Sequence, residues 1–377
     1  MIELAEIFAE HGPAYREKFK GRIPASHLKT MADIEVCRTE VLGGHVYVCD
    51  ECGQSLYSYH SCKNRHCPKC QNGAAQAWLA RQTALLLPTP YFMVTFTLPE
   101  ELRAVTRRNQ KFIYDVLFQS SAAALQQLAA DPRFVGGQIG LVGVLQTWTR
   151  DLIYHPHVHY LVPGGGLSAD GQTWQRARNA FLVHVKPLSR LFRGKFRAAL
   201  KKTALFDQVP SQVWQQAWVV HCQPVGSGAA ALKYLAPYIF RVAISHRRIL
   251  KVEEGQVTFR YRENDTCRWK SCTLPAEEFI RRFLQHVLPK GFQKVRYYGL
   301  FSSSQRHRLA QARRLLDLPL ATKTRDPHES LIQAAPTPPL IRCPSCGQPM
   351  RQTQTLPRSR FARPACRSPD RPQNNAQ

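Results

Sequence analysis

The chain has 377 residues, 44% of them apolar, and sets 52 Lys and Arg against 26 Asp and Glu for a net charge of +26. A chain of this length buries a full core and suits two or three structural units, and so large a cationic excess favours nucleic acid as partner over a merely basic surface. No stretch approaches the ~20 apolar residues needed to span a membrane. The opening residues Met1-Ile2-Glu3-Leu4-Ala5-Glu6 carry acids where a secretion signal has its apolar core, so a cytoplasmic protein is expected. In that compartment thiols bind metal instead of pairing as disulfides.

Residues 1–36 read as helical. A cysteine block follows over 37–73, with Cys37, Cys49, Cys52, Cys62, Cys67 and Cys70. Cys49-x-x-Cys52 and Cys67-x-x-Cys70 each form a knuckle able to grip one side of a tetrahedral zinc, and Gly53 suits the turn after the first. Cys37 and Cys62, with His45, His60 and His66 nearby, suggest a second zinc, the division of ligands staying open. Lys63, Asn64, Arg65, His66 and Lys69 beside Tyr57 and Tyr59 make the block a basic, aromatic platform. Its zinc either presents that surface to DNA or only folds a domain too small to fold alone.

A helical connector occupies 74–90, and Tyr91 to Thr97 is a β-branched and aromatic strand. Glu100 to about Ala130 is helical. The apolar run beginning at Gly140 and the run His157 to Val162 are strands, antiparallel neighbours. In the second of these, His155-Pro156-His157-Val158-His159 places alternate imidazoles on one face, half of a divalent metal site. Gln146, at the end of the first strand, is the chosen third ligand, with Asp151 and His155 as competitors. Next comes an amphipathic helix over 188–202 whose Arg193, Arg197 and Lys201 form a cationic row, suited equally to a DNA backbone or to plain solvation. A strand at 217–222 leads through Gly226 and Ser227, a turn and helix cap, to a helix carrying Tyr234 and Tyr238 one turn apart, with Pro237 as a kink. A hairpin around Glu253-Glu254-Gly255-Gln256, a helix from Ala276 to Val287 and a strand from Lys294 to Phe301 follow. The tail 317–377 reads as largely disordered; its Cys343-Pro344-Ser345-Cys346-Gly347 is a half-knuckle, either a remnant or completed by ligands not identified.

Metal and phenols make more sense together than apart. A free phenol, with a pKa of about 10, is a weak nucleophile, and a metal on the scissile phosphate withdraws charge and orients in-line attack. The phosphotyrosine product conserves the energy of the broken bond, so rejoining needs no ATP. No G-x-x-x-x-G-K-[ST] motif occurs. Lys233, Arg241, Arg247 and Arg248 flank the tyrosines as phosphate contacts or as surface charge.

The His-hydrophobe-His strand followed by a tyrosine helix resembles the HUH single-strand endonucleases. Three blocks, LQTWTRDLIYHPHVHYLVPGGGLS, ALKYLAPYIFRVAISHRRIL and LPAEEFIRRFLQHVLPKGFQKVRYYGLF, with the cysteine block before them, resemble more specifically the rolling-circle transposases of the insertion sequence 91 family. The resemblance implies an α+β core over 91–316 with a central antiparallel or mixed sheet and covering helices, preceded by a small zinc-ribbon domain. It implies Mg2+ or Mn2+ on His157, His159 and Gln146, one or two structural Zn2+ ions, and nucleophilic Tyr234 and Tyr238 forming 5′-phosphotyrosine links, although one tyrosine suffices in some relatives. The partner would be single-stranded DNA of element ends and target, in a bacterial cytoplasm at the nucleoid. A rolling-circle replication initiator and a zinc-dependent DNA-binding protein without catalysis are the alternatives.

Overall fold

The computed structural model describes residues 1–70, 72–83, 85–178, 180–233, 243–263, 266, 268–317 and 341–359. At its centre is a five-stranded sheet in the order β12-β4-β5-β3-β8, formed by β3 (Pro90–Thr97), β4 (Gly140–Trp148), β5 (Tyr154–Pro163), β8 (Val220–Ser227) and β12 (Val295–Gly299). Every neighbouring pair is antiparallel. The histidine strand is the middle one.

Alternation along β5 divides its side chains between two layers. Val158, Tyr160 and Val162 enter a core with Phe96 of β3, Phe118 and Leu125 of α5 (Gln110–Ala129), and Phe192 and Phe196 of α6 (Val185–Leu200). Gly143, opposite Tyr160, leaves room for that ring: a Cβ there would come within 2.6 Å of it. On the other face Leu161 packs with Tyr91, Met93, Val142 and Val144, under Trp78 of α3 (Asn72–Thr83) and under Ala231 and Leu232. These last two lie on the helix that opens at 228, labelled α7 and described to 233. Ser227 caps it, accepting from the Ala230 N–H at 3.4 Å. Tyr234, Tyr238 and Arg241 lie outside the described residues.

A second core joins distant parts of the chain. Leu4, Ile7 and Phe8 of α1 (Leu4–Lys18) and Met31 and Ile34 of α2 (Ala25–Glu35) pack with Cys37, Cys67, Phe259, Phe279 and Phe283. The Phe8 and Phe283 rings meet edge to face at 5.6 Å. Phe259 lies on β10 (Gln256–Arg262) of a three-stranded sheet with β9 (Ile249–Glu253) and β11 (Trp269–Pro275). The β9–β10 turn places Glu254 and Gly255 at φ 50° and 70°, the left-handed pair that a two-residue hairpin loop demands. The hairpin is as expected; β11 as its third strand was not. Phe279 and Phe283 belong to α8 (Ala276–Leu284), so the N-terminal helices share one core with 243–287.

The C-terminal segment departs from the expected disorder over 341–359. β13 (Arg351–Leu356) pairs with β1 (Gly44–Val48), which also pairs with β2 (Ser55–Tyr59), in the order β13-β1-β2. Among the described residues no helix is long and apolar enough to cross a membrane.

Candidate active site and metal centres

Strand register brings the expected ligands together. Gln146 on β4 stands directly opposite His157 on β5, and Val144 opposite His159. Directly opposed residues share a face, so Gln146, His157 and His159 lie on the layer that Ala231 and Leu232 cover, upstream of Tyr234. The His157 and His159 rings are 4.8 Å apart by centroid. His157 and Gln146 are both buried, at 8% and 7% exposure.

Each imidazole is held in a set orientation. His157 Nδ1 donates to the His155 carbonyl at 2.7 Å. A carbonyl only accepts, so that nitrogen carries the proton and Nε2 keeps its lone pair for a ligand role. His159 Nδ1 lies 2.9 Å from Thr95 Oγ1 on β3, a partner that sequence patterning did not single out, although strand pairing would put Thr95 opposite His159. Burial, reinforced by neighbouring His159, holds His157 well below the ordinary imidazole range. Burial also lowers His159 to about 4. Both rings are therefore neutral at pH 7, the state that binds a cation.

Gln146 distinguishes itself from its competitors by an unanswered atom. Its Nε2 donates to the Trp148 carbonyl at 3.0 Å, while its buried Oε1 finds no hydrogen-bond partner among the described residues. A buried carbonyl oxygen without a donor costs free energy, and a hard cation is one group that would satisfy it. Asp151 instead accepts from the Thr149 hydroxyl. His155 Nδ1 accepts from Arg103 at 3.2 Å, and its pKa is lowered by burial and then by Arg103. A donor set of two neutral imidazoles and one amide oxygen fits a divalent cation.

The basic residues divide differently from expectation. Lys233 and Arg247 are exposed. Arg248 donates to the carbonyls of Arg260 at 2.9 Å, Ala243 at 3.3 Å, and Arg150, which makes it a brace between segments. The α6 row lies on the opposite side of the sheet, because Phe192 and Phe196 pack into the Phe96–Tyr160 layer. There Arg193 donates to the Gln215 and Gln216 carbonyls, and Arg197 and Lys201 sit 5.9 and 5.8 Å from the Phe206 ring. That row is far better placed to hold 206–216 than to meet a phosphate beside His157.

The cysteines gather into two quartets, each with its sulfurs within 4.8 Å of one another: Cys37, Cys62, Cys67 and Cys70, and Cys49, Cys52, Cys343 and Cys346. In the first, Cys37 and Cys70 sulfurs are 3.4 Å apart, and Cys62 and Cys70 3.5 Å. Tetrahedral zinc with bonds of about 2.3 Å sets thiolates about 3.8 Å apart, so this quartet fits it. The Cys62 and Asn64 N–H groups point at the Cys37 and Cys62 sulfurs, at 3.5 and 3.4 Å, as expected around thiolates. The two expected histidine ligands are displaced by other partners. His66 Nε2 accepts from the Leu288 N–H at 3.3 Å. His45 packs edge-on against His60 at 5.0 Å, its Nδ1 3.4 Å from Thr355 Oγ1. Neither belongs to a quartet. Cys343 and Cys346, which sequence reasoning left without partners, lie against Cys49 and Cys52. The signal was the repetition of Cys-x-x-Cys-Gly at 49–53 and 343–347.

Comparison with known proteins places these features. Residues 7–98 match a family model described as "Transposase zinc-binding domain", of the insertion sequence 91 type, and residues 140–308 match one described as "Putative transposase". The chain is 40% identical to "Putative transposase y4qJ" of Sinorhizobium fredii, over 92% of this chain and 93% of that protein. It is 28% identical to "Transposase for insertion sequence element IS801" of Pseudomonas savastanoi pv. phaseolicola, over 75% of this chain and 72% of that protein. No solved structure matches. With its zinc-binding module ahead of a transposase domain, and with this breadth of identity, the chain belongs to the transposases of the insertion sequence 91 family.

Proposed function

We propose that this transposase nicks and rejoins single-stranded DNA at the ends of its element, in the cytoplasm, through phosphotyrosine intermediates. The observation that carries the reading is the orphaned Oε1 of Gln146, buried opposite His157 on the face that the helix leading to Tyr234 covers. His157, His159 and Gln146 would hold Mg2+ or Mn2+, which supplies charge neutralisation at the scissile phosphate.

The chain's own residues do the rest. Tyr234 or Tyr238 attacks phosphorus in line. The tyrosine oxygen–phosphorus bond forms as the bond from phosphorus to the 3′ oxygen breaks. The phenolic proton is given up and the departing 3′ oxygen leaves as a hydroxyl. The 5′ end stays on the enzyme until a 3′ hydroxyl reverses the step and frees the phenol. Two tyrosines allow one end to be held while a second is cut. Thr95 and the His155 carbonyl keep the imidazoles aimed. Lys233 and Arg247, both exposed, would steady phosphates, with Arg241 beside the tyrosines in sequence.

Labelled single strands carrying element ends are mixed with the zinc-loaded protein and Mn2+, then run on a denaturing gel. A covalent adduct is expected, lost in Tyr234→Phe/Tyr238→Phe and in His157→Ala while strand binding persists. An adduct that survives the double tyrosine change overturns the nucleophile assignment. Strand binding with no adduct from the unaltered protein under any divalent cation would leave a DNA-binding protein without catalysis.

A further inference from the structure

We infer that Cys343 and Cys346 complete a second zinc site with Cys49 and Cys52, so that one zinc ion binds the C-terminal segment 341–359 to the N-terminal module as the third strand of its sheet. The matched zinc-binding domain covers residues 7–98 and the matched transposase domain 140–308, so neither includes Cys343 or Cys346. The two halves of this site come from opposite ends of the chain.

The two halves are built alike. In Cys49-Asp50-Glu51-Cys52-Gly53 the Gly53 N–H donates to the Cys49 carbonyl at 2.9 Å and Cys49 N–H to Gln54 at 2.9 Å. In Cys343-Pro344-Ser345-Cys346-Gly347 the Gly347 N–H donates to the Cys343 carbonyl at 2.9 Å and Cys343 N–H to Gln348 at 2.8 Å. Gly53 and Gly347 take the same left-handed conformation, φ 70° and 76°, which glycine adopts without steric cost. These are two equivalent knuckles facing one another. Cys49 meets Cys346 and Cys52 meets Cys343, both at 3.5 Å between sulfurs. That spacing suits one tetrahedral ion with bonds of about 2.3 Å. An iron–sulfur cluster, with several metal atoms between its ligands, would hold them further apart.

The surroundings support a built site. Cys49 and Cys343 are buried with Met350 beneath Tyr47, Leu56 and Ile341. Asp50 of one knuckle forms an ion pair with Arg351 beyond the other at 2.9 Å. β13 leaves its knuckle directly and pairs with β1 from Val48↔Arg351 to Gly44↔Leu356. The apolar cluster here is small, so the metal supplies much of the hold, as in other small metal-folded modules. The exposed Cys52 and Cys346 make this ion easier to remove than that of the other quartet, where Cys37 and Cys67 are built into the core of α1, α2 and α8.

The test is zinc content per full-length chain, measured by elemental analysis after reconstitution with Zn2+ and gel filtration. In a His157→Ala background, which removes the proposed catalytic cation site, two ions are expected with all cysteines intact, one for Cys343→Ser/Cys346→Ser, one for Cys49→Ser/Cys52→Ser, and still one for all four changes together. Cys346→His keeps two, since three thiolates and an imidazole also hold zinc. Hydrogen exchange supplies the second readout: the amides of β13 lose protection in Cys343→Ser/Cys346→Ser, while those of β4 and β5 keep theirs. Two ions retained in Cys343→Ser/Cys346→Ser, unchanged protection of β13 in that variant, or a fourfold variant holding fewer ions than either pair would each overturn the shared site.

Discussion

Replacing Gln146 by Ala separates a metal ligand from an ordinary core amide, because the two roles predict opposite balances. Without a divalent cation the substitution removes a buried acceptor that has no described donor, whose burial costs about 1–3 kcal/mol. It also removes the bond to the Trp148 carbonyl, worth about 0.5–1.5 kcal/mol, and two buried methylenes or their equivalent at about 0.8 kcal/mol each. Gain and loss nearly cancel, so the cation-free variant should melt within a few degrees of the unaltered protein. With Mn2+ at a hundred times its dissociation constant, the unaltered protein gains about 2.7 kcal/mol, a rise of about 5–10 °C for a folded unit of this size. Losing one of three ligands should weaken binding at least tenfold, so at the same Mn2+ concentration the variant gains about 1.4 kcal/mol or less and its rise is at most half. Gln146→His restores a donor and should recover most of the response, whereas His157→Ala abolishes it. The assay is a melting curve by circular dichroism on zinc-loaded protein, with and without Mn2+. An equal Mn2+ response in Gln146→Ala and the unaltered protein would refute the ligand role. A loss well above 3 kcal/mol in the absence of Mn2+ would show that the amide was already satisfied.

Two further outcomes follow from groups away from the proposed cation. His286 is buried against Trp148 and Tyr154, with Thr147 and the Leu152 carbonyl at its ring nitrogens, and burial lowers its pKa from 6.5 to about 3. The unfolded chain therefore takes up this proton first; its contribution is full above pH 6.5 and declines as pH falls toward 3, by about 2 kcal/mol at pH 5. Urea titrations at pH 7.5 and 5 should show a His286→Phe chain losing about 2 kcal/mol less than the unaltered one, and equal losses would refute the assignment. On α6, Arg197→Ala/Lys201→Ala should leave the affinity for single strands and its salt dependence unchanged, because both side chains lie over Phe206 on the far side of the sheet. A slope reduced by about 0.7 for each residue would instead return them to the DNA surface.

What was legible in the sequence was whatever repeats with the period of its own element. Alternation in the histidine strand fixed which imidazoles share a face, and the apolar run ending at Gln146 was recognisable as its neighbour. An antiparallel pairing then sets Gln146 opposite His157. The tight turn at Glu254-Gly255 and the Ser227 cap were equally local. The α6 row shows the complementary limit: helical spacing shows that Arg193, Arg197 and Lys201 share a side, but only packing shows which way that side faces. Arg248 looked like a phosphate contact because charge is visible in a sequence and carbonyl partners are not.

The cysteines show the limit most clearly. A Cys-x-x-Cys pair specifies half of a tetrahedron, and nothing in its spacing names the other half. Spacing within 37–70 offered six cysteines and neighbouring histidines and left their division between sites open. The fold instead matches knuckles of the same local geometry, 49–53 with 343–347, across nearly the whole chain. It could do so because residues 1–36 and 243–287 share one core, which brings the late part of the chain back toward the cysteine block before any metal is considered. In an otherwise open chain, closing the loop from Cys52 to Cys343 would cost roughly 2.6 kcal/mol more than closing the short one to Cys67, at about 0.6 kcal/mol for each doubling of length. The shared core of 1–36 and 243–287 has already closed most of that loop, so a distant knuckle of the right shape competes with a near one, and complementarity of the pair decides.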